Sequence, residues 1–385
     1  MRARHTYLTS LLAIASCIVN AGSALGEGSA PFIGYGSSNV VLTSKSQEAA
    51  YMGFEVGVEA TAHKPVPKGW LVNENSENGT PLGSRRVAQH LIDSGAAMLV
   101  GFPTSYDALL AADVAKKANV LAIFRGCHSD LAKKGDLVFT ADATMERLVV
   151  SDLDLIASIP GLKRGLMVTN PVNPASTNQE DEFIRMSKQP DFKGPDVDRT
   201  HLSQNLELTN EDLAKLKQGA YSYIYITAYA DDARVMLQQM RDLGIDLPII
   251  ANPSWPSADI EYLRRLLIGR KSHTFATARW LPTTAAGQKL TKIVRSKYGR
   301  EPSGEMAYGY DLGVIVGTLI NRTKGDITRA KLIGAFKIDP CFDGLSNGKI
   351  CFPATGGHAY AEQPFPAVEF AKKDGKLDWV RFTAK

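Results

Sequence analysis

A short unit near residue 100 constrains the fold of this chain more than any other segment. Met98–Val100 is an apolar run typical of a buried parallel strand. Thr104 and Ser105 follow it, then apolar residues at helical spacing over Ala108–Ala118, then a second apolar run at Val120–Phe124. The pattern predicts a strand–helix–strand unit with hydroxyl residues at the sheet edge where ligands bind in open α/β sheets. A helix N-terminus there favours an anionic or hydrogen-bond-accepting group, and the alternative is that the hydroxyls only cap the helix.

The same alternation recurs along the chain. Further strands are predicted at Phe32–Gly34, Trp70–Val72, Arg164–Val168, Tyr221–Ile226 and Pro248–Ala251, and helices at Gln47–Thr61, Arg85–Ser94, Met145–Ile159, Gln179–Lys188, Ala230–Leu243, Ser257–Leu267, Gly287–Tyr298 and Tyr308–Thr323. Strands that alternate with helices of about 10–15 residues favour parallel, doubly wound sheets. A chain of 385 residues exceeds a typical domain, so two lobes are expected.

The N-terminal residues predict export. A basic start precedes Leu11–Val19, an apolar stretch too short to span a bilayer, and small residues follow. Met1–Gly26 is therefore predicted to be a secretory signal. The residues before Cys17 also fit a lipobox, in which Cys17 would carry lipid and become the mature N-terminus. We favour ordinary cleavage because the first predicted strand begins only a few residues later.

The cysteine pattern fits an oxidising compartment. Cys341 and Cys351 flank a short segment rich in turn residues, which predicts a disulfide across a hairpin. By the loop-closure model such a bridge contributes roughly 2–3 kcal/mol. The alternative, a metal site that includes His358, lacks the ligand spacing of structural zinc sites. Cys127 and His128 could act as nucleophile and base only if their side chains faced each other. Neighbouring residues in a loop seldom do so, and no catalysis is predicted there.

Composition and motifs exclude several functions. The net charge of +4 comes from 44 basic and 40 acidic residues, and no basic run with interleaved aromatics is present. Nucleic acid is therefore not an expected partner. The sequence contains no HExxH, no GxSxG and no phosphate-binding glycine-rich motif. We predict no enzyme activity, no metal and no cofactor.

The order of elements and several local motifs resemble the periplasmic substrate-binding proteins of the leucine/isoleucine/valine-binding type. The supporting segments are Tyr51–Glu59, Leu91–Phe139, Tyr223–Gly244, Tyr308–Gly313 and Gly344–Phe352. The resemblance covers essentially the whole chain after the predicted signal. It implies the type I periplasmic binding fold, an α/β architecture of two Rossmann-like lobes with parallel doubly wound sheets joined by a three-crossover hinge.

The resemblance also implies the division of the chain into lobes. It places the crossovers near Asp142, Ala276 and Cys341, which gives an N-terminal lobe of residues 30–142 and 277–340 and a C-terminal lobe of residues 143–276 and 341–385. A ligand would lie in the cleft between the lobes, and closure of the hinge would bury it.

Carried over position by position, the family's ligand contacts fall on loops at strand ends. The candidates are Ser38, Thr104, Ser105, Gly126, Cys127 and His128 in the first lobe, and Asn173, Tyr229, Asn252 and Trp255 in the second. Arg125 could add a charge, and Tyr229 and Trp255 could stack on a flat or apolar solute. The alternatives are that His128 is a solvated loop residue and Tyr229 a core aromatic.

The chain departs from the family pattern in two places. Pro171–Pro174 replaces a Tyr-Gly pair, and the loop Asn252–Pro256 lacks the acid that pairs with an amino acid's ammonium group. A buried ammonium with no anionic partner is costly. We therefore expect a carboxylate, an amide or an aromatic acid rather than a free α-amino acid, unless Asp231 or Asp259 substitutes for the missing acid.

The implied function is that of the extracytoplasmic solute-binding component of an ABC transporter. Such a receptor would be a monomer that captures a small solute and docks transiently on a permease in the inner membrane. The alternative is a ligand-sensing receptor of the same fold coupled to a regulator or sensor kinase. The expected location is the periplasm, with a lipid tether if Cys17 is modified.

Overall fold

The computed structural model describes residues 30–38, 44–76, 81–190, 192, 194–345, 348–361, 365–373 and 375–383. The predicted signal and Cys17 lie outside the described residues, and so does the side chain of Ser38.

The chain alternates strands and helices in the predicted order. The strands are β1 (Phe32–Ser38), β2 (Leu71–Ser76), β3 (Ala96–Gly101), β4 (Leu121–Phe124), β5 (Val138–Thr140), β6 (Arg164–Thr169), β7 (Asp196–His201), β8 (Tyr223–Ile226), β9 (Ile249–Ala251), β10 (Thr274–Thr277), β11 (Cys341–Asp343), β12 (Lys349–Cys351), β13 (Gly357–His358), β14 (Tyr360–Ala361), β15 (Ala367–Lys373) and β16 (Lys376–Arg381). The helices are α1 (Ser44–Thr61), α2 (Pro81–Asp93), α3 (Ser105–Ala118), α4 (Met145–Ser158), α5 (Pro174–Ser187), α6 (Asn210–Lys217), α7 (Arg234–Asp242), α8 (Ile260–Leu266), α9 (Ala285–Tyr298), α10 (Gly304–Arg322) and α11 (Arg329–Ile338).

Two large sheets confirm the predicted α/β fold of two lobes. The first sheet has the order β13-β5-β4-β3-β1-β2, with every described pairing parallel. The second has the order β16-β15-β10-β9-β8-β6-β7, and it is parallel from β10 to β7. Its last two strands, β15 and β16, are antiparallel. The small third sheet, β11-β12-β14, is antiparallel.

The central strands are apolar on both faces because helices cover both sides of each large sheet. On β8, Ile224 and Ile226 pack into one core while Tyr223 and Tyr225 pack into the core on the opposite face. This follows from the two-residue period of a strand. The same arrangement explains why all six residues of β3 are buried.

Helices α1 and α10 of the first lobe pack unusually close together. An added Cβ on Gly309 would lie 1.8 Å from the carbonyl oxygen of Ala50, and one on Gly313 would lie 2.1 Å from that of Phe54. Glycine at these positions lets the two backbones touch. The pairing fixes α10, whose first turns reach the cavity described below.

The chain passes between the large sheets three times, and the last passage differs from the prediction. The first two passages follow β5 and β10. The strands β11 to β14, which the predicted division assigns to the second lobe, lie with the first lobe instead. Strand β13 pairs with β5, and Phe342, Ile350 and Phe352 pack in the first-lobe core. These apolar side chains move the third crossover to between β14 and β15, and the exact lobe boundaries remain a proposal.

The structure contains the predicted disulfide. Cys341 and Cys351 are paired residues of the β11–β12 ladder and are bonded through their sulfurs. Cys127 is the free cysteine of the described residues, and it is buried. Within the described part of the chain, no helix combines the length and apolar character needed to cross a membrane.

Candidate binding cleft

A cavity lies between the lobes, at the carboxyl ends of the strands of both large sheets. Loops after β3 and β4 form its first-lobe wall, and loops after β8 and β9 form its second-lobe wall. This is the edge at which parallel α/β sheets bind ligands. The volume is about 90 Å³, where one water molecule needs about 10–15 Å³ on the same measure. The space therefore suits a small molecule and not a polymer.

The start of α3 supplies hydrogen-bond donors to the first-lobe wall. Thr104 is the N-cap of α3: its hydroxyl accepts from the Asp107 N–H at 3.2 Å and donates to the Asp107 carboxylate at 2.7 Å. Ser105 is the first helical residue, with its hydroxyl 3.9 Å from the sulfur of Cys127. Because the first N–H groups of a helix have no partner within it, they and Ser105 can serve an acceptor in the cavity.

The loop after β4 closes tightly against α3. Gly126 has a φ of 135°, and a Cβ there would lie 3.0 Å from the Cα of Ser105. The hydroxyl of Thr140 holds this turn by donating to the Gly126 carbonyl at 2.6 Å. Burial raises the pKa of the Cys127 thiol, so it stays protonated at neutral pH.

Two buried ion pairs line the hinge side of the cavity. Arg125 pairs with Glu305 at the start of α10, and Arg279 pairs with Asp142. The guanidinium carbons of Arg125 and Arg279 lie 4.1 and 5.9 Å from the centroid of the Tyr308 ring. Because Asp142 and Arg279 belong to the first and second crossovers, their ion pair links the two chain segments about which the lobes would move.

Tyr229, Asn252 and Gln179 form much of the second-lobe wall. Burial raises the pKa of the Tyr229 hydroxyl, which stays neutral. Tyr229 lines the same cavity as Cys127 and Arg279. The amide of Asn252 donates to Gln179 at 2.6 Å and to the Thr227 carbonyl at 2.9 Å. Both amide hydrogens of Asn252 are therefore already used within the lobe.

The two lobes contact each other beside the cavity. The N–H of Ser129 donates to the side-chain oxygen of Asn178 at 3.1 Å, and the Asn178 amide donates back to the Ser129 hydroxyl at 3.1 Å. Ser129 follows β4 in the first lobe, while Asn178 lies on α5 in the second. These two hydrogen bonds link the lobes beside the cavity.

The structure brings most, but not all, of the predicted site residues to the cavity. Those that line it are Thr104, Ser105, Gly126, Cys127, Tyr229 and Asn252. The side chain of Ser38 is outside the described residues.

Three predicted contacts lie away from the lining for identifiable reasons. The His128 ring caps a short 3-10 turn by accepting from the Asp130 N–H at 3.1 Å. Asn173 is the N-cap of α5. Trp255 is fully buried in the second-lobe core and donates its ring N–H to the Ala228 carbonyl at 3.0 Å, so it cannot stack on a ligand.

Several lining residues were not predicted from the sequence. Three of them lie on helices: Met145 and Leu148 on α4, and Gln179 on α5. The sequence predicts these helices but does not indicate which of their side chains face the cavity. Glu305 was missed because its role depends on Arg125, which is remote in the sequence. Asp231 and Asp259, considered above as substitutes for the missing acid, do line the cavity. Among the described residues, no cluster of three or more His, Cys, Asp or Glu side chains could hold a metal ion.

Comparisons with known proteins identify relatives of this architecture. A family model described as "Periplasmic binding protein" matches residues 73–376. A search of curated protein sequences finds no match.

Solved structures share the fold at low identity. The leucine-binding protein LivK from Thermotoga maritima aligns with a TM-score of 0.75 at 20% identity, over 91% of this chain and 98% of its own. LivJ from Streptococcus pneumoniae, solved with isoleucine, aligns with a TM-score of 0.72 at 19% identity, over 92% of this chain and 100% of its own. A solute-binding protein of an ABC transporter from R. palustris, solved with 4-hydroxybenzoate, aligns with a TM-score of 0.72 at 14% identity, over 92% of this chain and 96% of its own.

Proposed function

Because this chain belongs to the family of periplasmic binding proteins, we propose that it is the extracytoplasmic solute-binding component of an ABC transporter. It captures a small solute between its lobes and delivers it to a membrane permease. The observation that carries the proposal is the cavity formed by the strand ends of both lobes. A ligand that contacts both walls favours the closed arrangement over an open one, and no covalent chemistry is required.

The first-lobe wall supports a ligand with a hydrogen-bond-accepting end, such as a carboxylate or an amide. The Ser105 hydroxyl and the backbone N–H of Ser105 at the start of α3 would hold that end. Met145 and Leu148 would contact an apolar body. Isoleucine and 4-hydroxybenzoate, each bound by a protein of the same fold, share this combination of carboxylate and apolar body.

The second-lobe wall bears on whether the solute also carries an ammonium group. The segment Asn252–Pro256 after β9 lacks an acid, which argued against α-amino acids. The cavity nevertheless includes Asp231 and Asp259. Either carboxylate would offset the cost of enclosing an ammonium group. We therefore propose two ligand classes: aliphatic amino acids, and small aromatic acids or amides.

The remaining features of the proposal follow from the family. We propose that the protein acts in the periplasm as a monomer and is not an enzyme. The alternative is a sensing receptor of the same fold. The binding partner distinguishes the two: the solute-loaded protein would bind a purified permease if it serves transport, and a sensor kinase if it serves sensing.

A panel of solutes tests the proposed function. L-leucine, L-isoleucine, benzoate, 4-hydroxybenzoate and benzamide are added separately while thermal unfolding is followed. At a concentration of about 100 times its dissociation constant, a true ligand adds about 2.7 kcal/mol to the free energy of unfolding. We expect stabilisation by members of one of the two classes.

Variants of Tyr229 show whether the stabilisation arises in the cavity. Tyr229→Ala removes a ring that lines the cavity from the second lobe, so the ligand-induced shift is expected to disappear. Tyr229→Phe keeps the ring and is the matched control, expected to retain most of the shift. A shift that is equal in wild type and Tyr229→Ala would place the solute elsewhere.

A further inference from the structure

A buried carboxylate lies directly beneath the second-lobe wall. Asp152 on α4 has no exposed surface. Its carboxylate accepts three hydrogen bonds: from the Gln179 amide at 2.8 Å, the Tyr225 hydroxyl at 2.9 Å and the Thr277 hydroxyl at 2.8 Å. The partners come from α5, β8 and β10, so Asp152 ties three elements together under the cavity.

The hydrogen bonds continue from Asp152 to the cavity surface in one direction. Gln179 points its NH2 group to Asp152, so its oxygen faces Asn252 and accepts from that amide at 2.6 Å. This orients the Asn252 oxygen to accept from the N–H of Ser254 at 2.8 Å. An ionised carboxylate can only accept hydrogen bonds, so it dictates the direction of the whole series.

We propose that Asp152 is a positioning residue for the binding site: through Gln179 and Asn252, its carboxylate fixes the loop 252–254 that forms part of the cavity wall. The expected effect on ligand affinity rests on the proposed function. The orientation of the Gln179 and Asn252 amides does not depend on that function, and it can be measured without a ligand.

The charge of Asp152 responds to pH near neutrality. The groups that face it are Gln179, Tyr225 and Thr277, and Arg279 is the nearby cation. Burial raises the pKa of Asp152 to about 7, against the lowering effect of its hydrogen bonds and of Arg279. Burial raises the pKa of Tyr225 well above its ordinary value, so this hydroxyl stays neutral. Arg279 beside Asp142 has a raised pKa and stays charged. Asp152 is therefore the member of this group that titrates near neutral pH.

Protonation works against the series of hydrogen bonds. As the pH falls through about 7, Asp152 gains a proton, and the hydrogen bonds from Gln179 and Tyr225 lose the negative charge that strengthens them and holds the Gln179 amide in one orientation. The loop 252–254 is therefore expected to be ordered above this pKa and to become less ordered below it.

The test compares wild type with Asp152→Asn at about pH 8 and about pH 5.5, on either side of this pKa. The variant keeps the shape of the side chain, and its amide can donate to the Thr277 hydroxyl, so the lobe can still fold. One measurement is the exchange protection of the Gln179 and Asn252 side-chain amides by NMR without ligand. The other is calorimetric titration with L-leucine and with 4-hydroxybenzoate.

In wild type we expect both amides to be protected at the higher pH and to lose protection at the lower pH. The affinity for the probe that binds should fall about tenfold between the higher and the lower pH. This is the effect expected when a hydrogen bond to a charged group is lost. In Asp152→Asn both quantities should be independent of pH. The same pH profile in variant and wild type, or protection that persists at low pH, would overturn the proposal. If neither probe binds wild type, the proposed ligand classes fail, while the amide exchange still decides the role of Asp152.

Discussion

Replacing Arg125 with Met is expected to lower the free energy of unfolding by about 3–5 kcal/mol. The side chains of Arg125 and Glu305 form an ion pair in which they are only 7% and 4% exposed. Removing the cation leaves the Glu305 carboxylate buried without its partner, which costs far more than the loss of a surface ion pair. Urea unfolding followed by circular dichroism measures the change.

Two further variants separate this effect from a general loss of packing. In Arg125→Met/Glu305→Leu no charge is left unpaired, so we expect most of the lost stability to return. Arg295→Met removes one partner of an exposed pair, Arg295–Glu301, in which the side chains are 64% and 62% exposed. Its cost should stay below about 1 kcal/mol. An equal cost for Arg125→Met and Arg295→Met would contradict the importance of the buried pair.

Replacing Gly313 with Ala is expected to destabilise the first lobe by about 3 kcal/mol, at the upper end of the usual cost of overpacking. The new methyl group would meet the backbone of α1, at 2.1 Å from the carbonyl oxygen of Phe54 and 2.7 Å from the nitrogen of Val58. Backbone atoms inside a helix cannot move aside, so α1 and α10 must separate. Because α10 carries Glu305 and Tyr308, solute affinity should fall as well.

Gly334→Ala is the matched control for this substitution. Gly334 is also a helical glycine, on α11, but apart from its chain neighbours and the backbone of its own helix no heavy atom lies within 4 Å of the position of its Cβ. Alanine is favoured over glycine in a helix by about 0.8–1.0 kcal/mol. The control should therefore be neutral or stabilising. Thermal unfolding of both variants compares the effects, and a Gly313→Ala protein as stable as Gly334→Ala would refute the close-packing argument.

The order of the elements was predictable because buried parallel strands are apolar and the helices between them are amphipathic. The strand β8 and the unit β3–α3–β4 show this most clearly. The edge strand β7 was missed: its sequence, Asp-Val-Asp-Arg-Thr-His, pairs on one side with β6 and has no apolar run. The position of the third crossover could not be read from the sequence, because nothing local indicates that Phe342 and Phe352 pack in the first-lobe core.

The binding cleft was predictable only where it is built from strand-end loops. Thr104, Ser105 and Tyr229 follow strands and line the cavity as expected. Trp255 follows a strand as well, yet its large apolar ring is more stable in the core than beside water. The ion pairs at the hinge side join residues 180 and 137 positions apart. Only the folded chain brings such residues together.

The central claim is that the cavity between the lobes is the solute-binding site. A crystal structure of the protein with the solute that stabilises it most tests this claim directly. We predict one solute molecule per chain, with an acceptor group at Ser105 and the start of α3, and with Tyr229 contacting it from the second lobe. Solute bound elsewhere on the protein, with the cavity holding only water, would contradict the account.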